Sequence, residues 1–384
     1  MDFLETPEQA MLRESVAKLA NDFGHAYFVQ KARSDGRSTE LWDAMAAQGY
    51  LGVSVPEAYG GGGGGIAELA IVCEELAAAG CPLLLLVVSP AICAGVIGRF
   101  GSAEQKDRWL PRFATGELKM AFAITEPDAG SNSHNISTAA TRDGELWKLR
   151  GTKYYISGVD EAEAVLVVAR TAVDEETGRG RLSLFVVPTD APGLERTHIP
   201  VEIVAPEKQY TLHFDDVEVP ADCLIGTEGD GLRQVFHGLN PERITGAAIS
   251  GGLGRYAIEK GAAYAKERRV WDVPIGAHQG VAHPLAKAYV EVELARLMTT
   301  RAAWLHDAGH DAGEASNIAK YAAAEAALAA LDQAIQIHGG NGLASEYGLA
   351  DLWGFTRLMR TAPVSREMIL NYVSTHSLGL PRSY

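Results

Sequence analysis

Residues 314–340 read EASNIAKYAAAEAALAALDQAIQIHGG, an alanine-rich run in which apolar residues recur at helical spacing. A glycine pair closes the run, and glycine is the residue that most often ends a helix. Two further runs of the same texture, 250–269 and 281–309, precede it. Long helices joined by short connections pack as antiparallel neighbours in a bundle. The sequence therefore predicts a helical bundle over residues 229–384.

Strand signals dominate upstream of this bundle, between residues 119 and 228. Four short runs are rich in β-branched and aromatic residues and are separated by Gly, Asp and Pro: 148–158, 162–173, 181–190 and 210–220. Runs of this composition and spacing are typical of an all-β domain.

The first 118 residues have a helical pattern, with Thr6 and Gln9 placed as a capping box before the first apolar-periodic run. A chain of 384 residues is too long for one ordinary core. We therefore expect an α+β fold with a helical N-terminal domain (1–118), a central β-domain (119–228) and a C-terminal helical bundle (229–384). Six consecutive glycines, 60–65, form either a flexible loop or a backbone that approaches a ligand closely.

Composition narrows the possible partners and the compartment. The net charge of −15 disfavours nucleic acid, because phosphate binding needs clustered Lys and Arg. Four cysteines stand at no metal-ligand or CxxC spacing, which predicts no metal site and a reducing compartment. The amino terminus lacks the basic and apolar regions of a signal peptide. The longest apolar run, 81–98, is interrupted by Pro90 and predicts a buried helix with a loop rather than a membrane span, so we expect a cytoplasmic protein.

Four motifs contain residue types suited to binding a ligand. Residues 123–132, AITEPDAGSN, form a polar loop that either cradles a ligand edge or is an ordinary turn. In residues 153–158, KYYISG, period-two alternation puts Tyr155 and Ser157 on one face of a strand. In residues 267–283, ERRVWDVPIGAHQGVAH, Arg268 offers forked donors for a pyrophosphate and Trp271 can pack on a planar ring. Residues 336–342, QIHGGNG, form a helix end.

In this order and spacing, these motifs, together with LGVSVPEAYGG (51–61) and FDDVEVP (214–220), resemble the acyl-CoA dehydrogenase family over nearly the whole chain. The resemblance implies a helical N-terminal domain, a central β-barrel-like domain and a C-terminal four-helix bundle, with FAD held non-covalently. The residues that it implies for FAD binding are Phe122, Ile124, Thr125, Gly130, Ser131, Tyr155, Ser157, Arg268, Trp271, Gln279, Gln336, Gly339 and Gly340. Those up to Ser157 are expected against the flavin ring, and the later ones on the pyrophosphate and adenosine across a subunit interface.

The chemistry that the resemblance implies is α,β-dehydrogenation of an acyl-CoA thioester, in which a carboxylate removes the C2 proton and a hydride passes from C3 to flavin N5. In most of the family the base is a Glu in an EGT segment, but here a gapless count puts that position at Pro363. The isovaleryl- and long-chain enzymes instead place Glu before a helical Arg, and Glu242–Arg243 in LNPERI matches that order. We therefore expect Glu242 to be the catalytic base, with Asn240, Arg243 and Ser131 near the substrate.

Other interpretations of these residues remain open at this stage. Asn240 and Pro241 are suited to a helix start, so Glu242 could be a solvated charge in a first helical turn. Glu367 is the next candidate base. Proline has no N–H, so the position of Pro363 offers no backbone donor to the thioester carbonyl.

The fold also hosts other chemistry. A flavin-dependent oxidase or monooxygenase is the alternative activity, and a nucleic-acid-associated relative or a cofactor-free helical interaction protein are the others. The expected partners are an acyl-CoA substrate, an electron-transfer flavoprotein as acceptor, and further copies of the chain in a homotetramer or dimer. Acyl chain length is not encoded in a local motif.

Overall fold

The computed structural model describes residues 5–382. The first part of the chain is helical, with a capping box of Thr6 and Gln9 at its start, as predicted. Its helices are α1 (Pro7–Arg33, kinked at Gly24), α2 (Thr39–Ala47), α3 (Ile66–Ala78), α4 (Leu84–Leu86), α5 (Gly95–Phe100) and α6 (Ala103–Ala114).

The central part is one eight-stranded sheet. Its strands are β1 (Met120–Ala123), β2 (Ala139–Asp143), β3 (Leu146–Ser157), β4 (Ala164–Val173), β5 (Gly180–Pro188), β6 (Leu194–Ile199), β7 (Gln209–Pro220) and β8 (Leu224–Ile225). They pair in the order β6-β7-β3-β2-β4-β5-β8, and β1 pairs in parallel with β4. All four predicted runs are strands, whereas the short β1, β2, β6 and β8 carried no signal that we recognised.

Apolar packing covers both faces of the sheet at its centre. In β4, Val165 and Val167 belong to one buried cluster, whereas Leu166 and Val168 belong to another that includes α6 and the helix before it. A strand buried on both faces has a continuous apolar run rather than an alternating one, as β4 does.

The helical C-terminal part follows. It contains α7 (Gly231–Glu267), a two-stranded hairpin of β9 (Arg269–Val270) and β10 (Val273–Pro274), α8 (Gln279–Asp307), α9 (Gly313–His338), α10 (Trp353–Leu358) and α11 (Arg366–Tyr372). The three long helices pack side by side, mostly through alanine, and the two short ones pack against α9. The predicted α+β fold, helical then β then helical, is confirmed.

Two local expectations change. The run 81–98 contains no loop at Pro90, because Val87–Ala94 is π-helical and carries the proline inside the helix. The glycine run 60–65 is fixed in place: Gly62, Gly63 and Gly64 donate backbone hydrogen bonds to Gly52, Val55 and Val53. A Cβ at Gly61 would lie 2.1 Å from the Val55 carbonyl oxygen, so close backbone approach, not flexibility, explains the composition.

Candidate active site

Glu242 lies well inside a long helix. Because α7 begins at Gly231, with Asp230 as its N-cap, the prediction that a helix starts at Asn240 is wrong. Upstream, Gly238 packs so closely that a Cβ there would lie 2.9 Å from Val96 Cγ2. This tertiary contact extends the helix through Pro241, which the local signal treated as a first residue. Glu242 is therefore not a first-turn charge.

The carboxyl of Glu242 is desolvated by the surrounding protein. Its side chain is partly buried, and within residues 5–382 no hydrogen bond to its carboxyl oxygens is found. Burial raises the pKa of Glu242 to about 7, and the positive charges of Arg243 and Lys320 oppose the rise. A carboxyl with this pKa is divided between its acid and base forms at neutral pH, which suits a proton acceptor.

Two structural elements lie against α7 near Glu242. The first is the π-helical segment: burial, followed by the charge of Glu242, raises the pKa of the Cys93 thiol well above its usual value. Cys93 Sγ also lies 3.5 Å from the carbonyl oxygen of Ala121 in β1, next to Phe122. The second is the segment that contains Pro363: a Cβ on Gly246, one turn beyond Glu242, would lie 3.6 Å from Pro363 Cδ. Pro363 thus faces the same stretch of α7 as Glu242.

The other two substrate candidates on α7 contact each other. Arg243 Nη1 donates to Asn240 Oδ1 at 3.0 Å, and Arg243 Nε is buried with no hydrogen-bond partner in the described part of the chain. Burial lowers the pKa of Arg243, against the opposing charge of Glu242. Glu367, the other candidate base, lies exposed in the first turn of α11, 3.4 Å from Arg366 Nε.

The polar loop 123–132 is joined to β3 by a buried ion pair that the sequence analysis missed. Lys153 Nζ donates to the carboxylate of Glu126 at 2.9 Å and to the carbonyl of Ile124 at 3.0 Å. Glu126, 3% exposed, also accepts from both backbone and hydroxyl of Ser137 and from Thr138 N. A sequence signal for this pair was present, because each motif contains one of the two charged residues. Lys153, however, was interpreted only as part of a strand.

The loop and β3 bring several flavin candidates together. Tyr154 N donates to the carbonyl of Thr125 at 2.9 Å, which places Ile124 and Thr125 beside Tyr155. Phe122 is buried, whereas Gly130 and Ser131 are exposed on the loop.

Tyr155 departs from the expected strand geometry. A bulge between Lys153 and Ile156 interrupts the alternation of β3, so the period-two argument that paired Tyr155 with Ser157 does not hold. Tyr155 has φ of 56° and is 52% exposed, with its ring 4.4 Å from that of Tyr154. Ser157 instead donates to Gln209 Oε1 at 3.0 Å.

The remaining flavin candidates lie together at one end of the bundle. Arg268 caps α7, Trp271 is in the β9–β10 turn and 84% exposed, and Gln279 begins α8. Three more of them are exposed at the end of α9: Gln336 in its last turn, and Gly339 and Gly340 in the turn that follows. Tyr264 of α7 connects the two groups, since its ring stacks on His338 at 4.1 Å and its hydroxyl accepts from Asn341 Nδ2 at 3.1 Å.

Distance separates this cluster from Glu242. Arg268 stands 26 residues beyond Glu242 (268 − 242) on α7, or about 39 Å at the rise of an α-helix. Within one chain, Arg268 and Glu242 therefore lie near opposite ends of α7.

The exposed groups of each cluster fit parts of FAD. Arg268, Gln279 and Gln336 present a guanidinium and two amides, the donors that suit a pyrophosphate and its sugars. A Cβ at Gly339 or Gly340 would meet nothing within 4 Å, so the backbone there is open to a ligand. Backbone groups and the exposed Tyr155 ring at the other cluster suit a flat polar heterocycle.

Two kinds of feature are absent from residues 5–382. No helix there is long and apolar enough to cross a membrane. No group of three or more His, Cys, Asp and Glu side chains in that range is placed to hold a metal ion.

Comparison with known families matches three acyl-CoA dehydrogenase domains in succession. The N-terminal domain matches residues 6–117, the middle domain residues 121–217 and the C-terminal domain residues 229–377.

Individual relatives agree over the full length. The chain is 56% identical to acyl-CoA dehydrogenase FadE12 of Mycobacterium tuberculosis (strain ATCC 25618 / H37Rv) over 384 residues, covering 100% of this chain and 99% of that protein. The structure of a glutaryl-coenzyme A dehydrogenase in complex with glutaryl-CoA superimposes with a TM-score of 0.94 at 31% identity, covering 100% of this chain and 98% of that one. An FAD complex of PigA superimposes with a TM-score of 0.92 at 29% identity, covering 99% and 100%. The chain belongs to the acyl-CoA dehydrogenase family of FAD-dependent oxidoreductases.

Proposed function

We propose that this enzyme dehydrogenates an acyl-CoA thioester between C2 and C3, and that Glu242 removes the C2 proton. The observation that carries the proposal is the setting of Glu242, a partly buried carboxyl that accepts no hydrogen bond within residues 5–382 and has a pKa of about 7. Such a group is free to accept a proton, and a bound acyl chain that excludes water would increase its basicity further. The position of Pro363 against α7, one turn beyond Glu242, supports the exchange of base positions between the two segments.

The other site residues have supporting roles in the proposal. When bound, FAD supplies the hydride acceptor at N5. Ile124, Thr125, Gly130, Tyr155 and Ser157 bind and orient the flavin ring, with Phe122 packed behind the loop. Asn240 fixes Arg243 by the hydrogen bond between them, and Arg243 with Ser131 binds the substrate near Glu242.

A second copy of the chain completes the flavin site in this proposal. Arg268, Trp271, Gln279, Gln336, Gly339 and Gly340 are too far along the bundle to serve the Glu242 of their own chain, so they hold the pyrophosphate and adenosine of a neighbour's FAD. The exposed apolar residues Val290, Leu294 and Leu297 follow one face of α8 and favour such association, as a tetramer or dimer. We propose an electron-transfer flavoprotein as the acceptor that reoxidises the enzyme.

Anaerobic titration of the FAD-loaded protein with a panel of acyl-CoAs tests the proposal. We expect flavin absorbance to bleach with one class of acyl-CoA, and Glu242→Gln to bind the same thioester without bleaching. Equal bleaching of the two proteins would contradict the role of Glu242 and direct attention to Glu367. If no acyl-CoA bleaches the wild type, but its reduced flavin consumes oxygen rapidly with another substrate, the oxidase or monooxygenase alternative replaces the dehydrogenase.

A further inference from the structure

Lys320 is a fully enclosed lysine that the proposed reaction does not use. It lies on α9, and its side chain is 2% exposed. Lysine is almost never buried to this extent without an ionic partner. Yet the hydrogen bond that Lys320 Nζ makes within the described residues is to the carbonyl oxygen of Val364, and no carboxylate there lies within salt-bridge distance of it.

The bond to Val364 has a structural consequence. Val364 directly follows Pro363, which faces α7 one turn beyond Glu242. The segment 359–365 connects α10 to α11 without helix or strand of its own. Lys320 therefore joins a connecting segment to the rigid α9 at the point where that segment faces the candidate base.

The positive charge of Lys320 acts on the carboxyl of Glu242. The ionisable groups that interact electrostatically with Lys320 or with its neighbours Glu242 and Arg243 come from four elements. They are Glu242 and Arg243 from α7, Glu325 from α9, Glu367 and Tyr372 from α11, and Cys93 from the π-helical segment. Glu325 is engaged elsewhere, because it pairs with Arg360 at 2.7 Å and Arg366 at 3.3 Å. Burial lowers the pKa of Lys320 to about 8 against the opposing charge of Glu242, so the ammonium form predominates at neutral pH.

We propose that Lys320 is a positioning residue for the reaction: it fixes the Pro363–Val364 segment beside α7 and supplies a buried positive charge near the candidate base Glu242. The inference rests on the proposed role of Glu242. Without this cation, burial would act on Glu242 with only Arg243 opposing it, and the carboxyl would remain protonated to higher pH.

The first test uses Lys320→Met, which keeps the length of the side chain without its charge, and Lys320→Arg, which keeps the charge. The matched control is Lys260→Met, because Lys260 also donates to a backbone carbonyl, that of Tyr347 at 3.0 Å, but lies at the far end of α7.

The rate of flavin reduction by a saturating acyl-CoA is followed from pH 6 to 10. We expect Lys320→Met to shift the pH midpoint upward by about one unit and to lose about tenfold in rate at pH 6, with recovery above pH 8. Lys320→Arg and Lys260→Met should keep the wild-type midpoint, and an unshifted midpoint in Lys320→Met would overturn the proposal.

A second measurement needs no turnover. Melting temperatures are measured across the same pH range for two pairs of proteins. The first pair is the wild type and Glu242→Gln, and the second is Lys320→Met and the double variant Glu242→Gln/Lys320→Met. The quantity followed is the difference in melting temperature within each pair. The pH at which this difference changes reports the titration of Glu242 directly, and we expect it to move upward in the Lys320→Met background. If it moves while no acyl-CoA reduces the flavin, the proposed reaction fails and the electrostatic link stands. If it stays fixed while the wild type reacts, the link fails and the reaction stands.

Discussion

Burial acts to raise the pKa of both Glu126 and Glu242, yet the net shift is downward for Glu126 and upward for Glu242. Glu126 accepts hydrogen bonds from two backbone amides, a hydroxyl and the ammonium of Lys153. Burial opposes its charge, but these donors hold its pKa at about 2. Glu242 accepts none within residues 5–382, and burial raises its pKa to about 7. The difference in donors, rather than burial itself, separates a carboxylate that holds a loop from one that can exchange a proton.

The largest expected effect is on the rate of the reaction. Glu242→Gln removes the proton acceptor while keeping the shape of the side chain, and general-base catalysis contributes about 10²- to 10⁴-fold. We expect flavin reduction in single-turnover experiments to slow by that factor, with flavin still bound. Glu126→Gln serves as the opposite case: this variant should lower the stability of the protein and its retention of flavin. A slower reaction of similar size in both variants would remove the distinction between the two carboxylates.

The next effect is on stability at the other carboxylate. Lys153→Met leaves the charge of Glu126 buried without its cation, and breaking a buried pair in this way costs about 3–5 kcal/mol. We expect the free energy of unfolding, measured in urea, to fall by about 3 kcal/mol. This is the lower limit of that range, because the other donors to Glu126 remain. The double variant Glu126→Gln/Lys153→Met should recover part of the loss, and full additivity of the two single losses would show that the pair is not coupled.

A smaller effect follows from the raised pKa of Glu242. The fold favours the protonated carboxyl, so this contribution to stability is complete below the ordinary value of 4.5 and is lost as pH rises through about 7. Glu242→Gln should therefore stabilise the substrate-free protein at pH 8 by about 1–3 kcal/mol, and by less at pH 5. Melting curves at the two pH values provide the measurement, and equal stabilisation at both would mean that Glu242 is already ionised at pH 5.

The smallest effect is expected at the exposed carboxylate. Glu367 lies in the first turn of α11 and faces solvent, so Glu367→Gln should change the unfolding free energy by less than about 0.5 kcal/mol. Its flavin reduction rate should match that of the wild type. A large loss of rate would make Glu367, rather than Glu242, the base.

The sequence was sufficient for the fold class because its strongest signals are periodic. The alanine-rich helices and the β-branched strands have repeats that local physics interprets directly, and α8, α9 and β4 lie where those repeats predict. The start of the helix around Glu242 was misplaced because Asn240–Pro241 is a local start signal, whereas tertiary packing of the residues before it, among them Val235 and Gly238, favours a longer helix.

The candidate site was predictable where a motif holds its residues, and not where the fold brings distant ones together. Lys153 and Glu126 are 27 residues apart, and no local rule pairs them. Lys320 and Val364 are 44 residues apart, on a helix and a connecting segment. The separation of Arg268 from Glu242 became clear only when α7 proved to be one continuous helix.

The glycine run 60–65 has a practical consequence for anyone who modifies this protein. Its composition is that of a synthetic linker, so it invites the insertion of a tag, a split site or a circular permutation. Its amides are bonded to the preceding turn, and a Cβ on Gly65 would lie 2.3 Å from the carboxyl carbon of Asp307 in α8. The exposed loop between β4 and β5, residues 174–179, is the better insertion point, because lengthening a surface turn between two paired strands displaces nothing in the core.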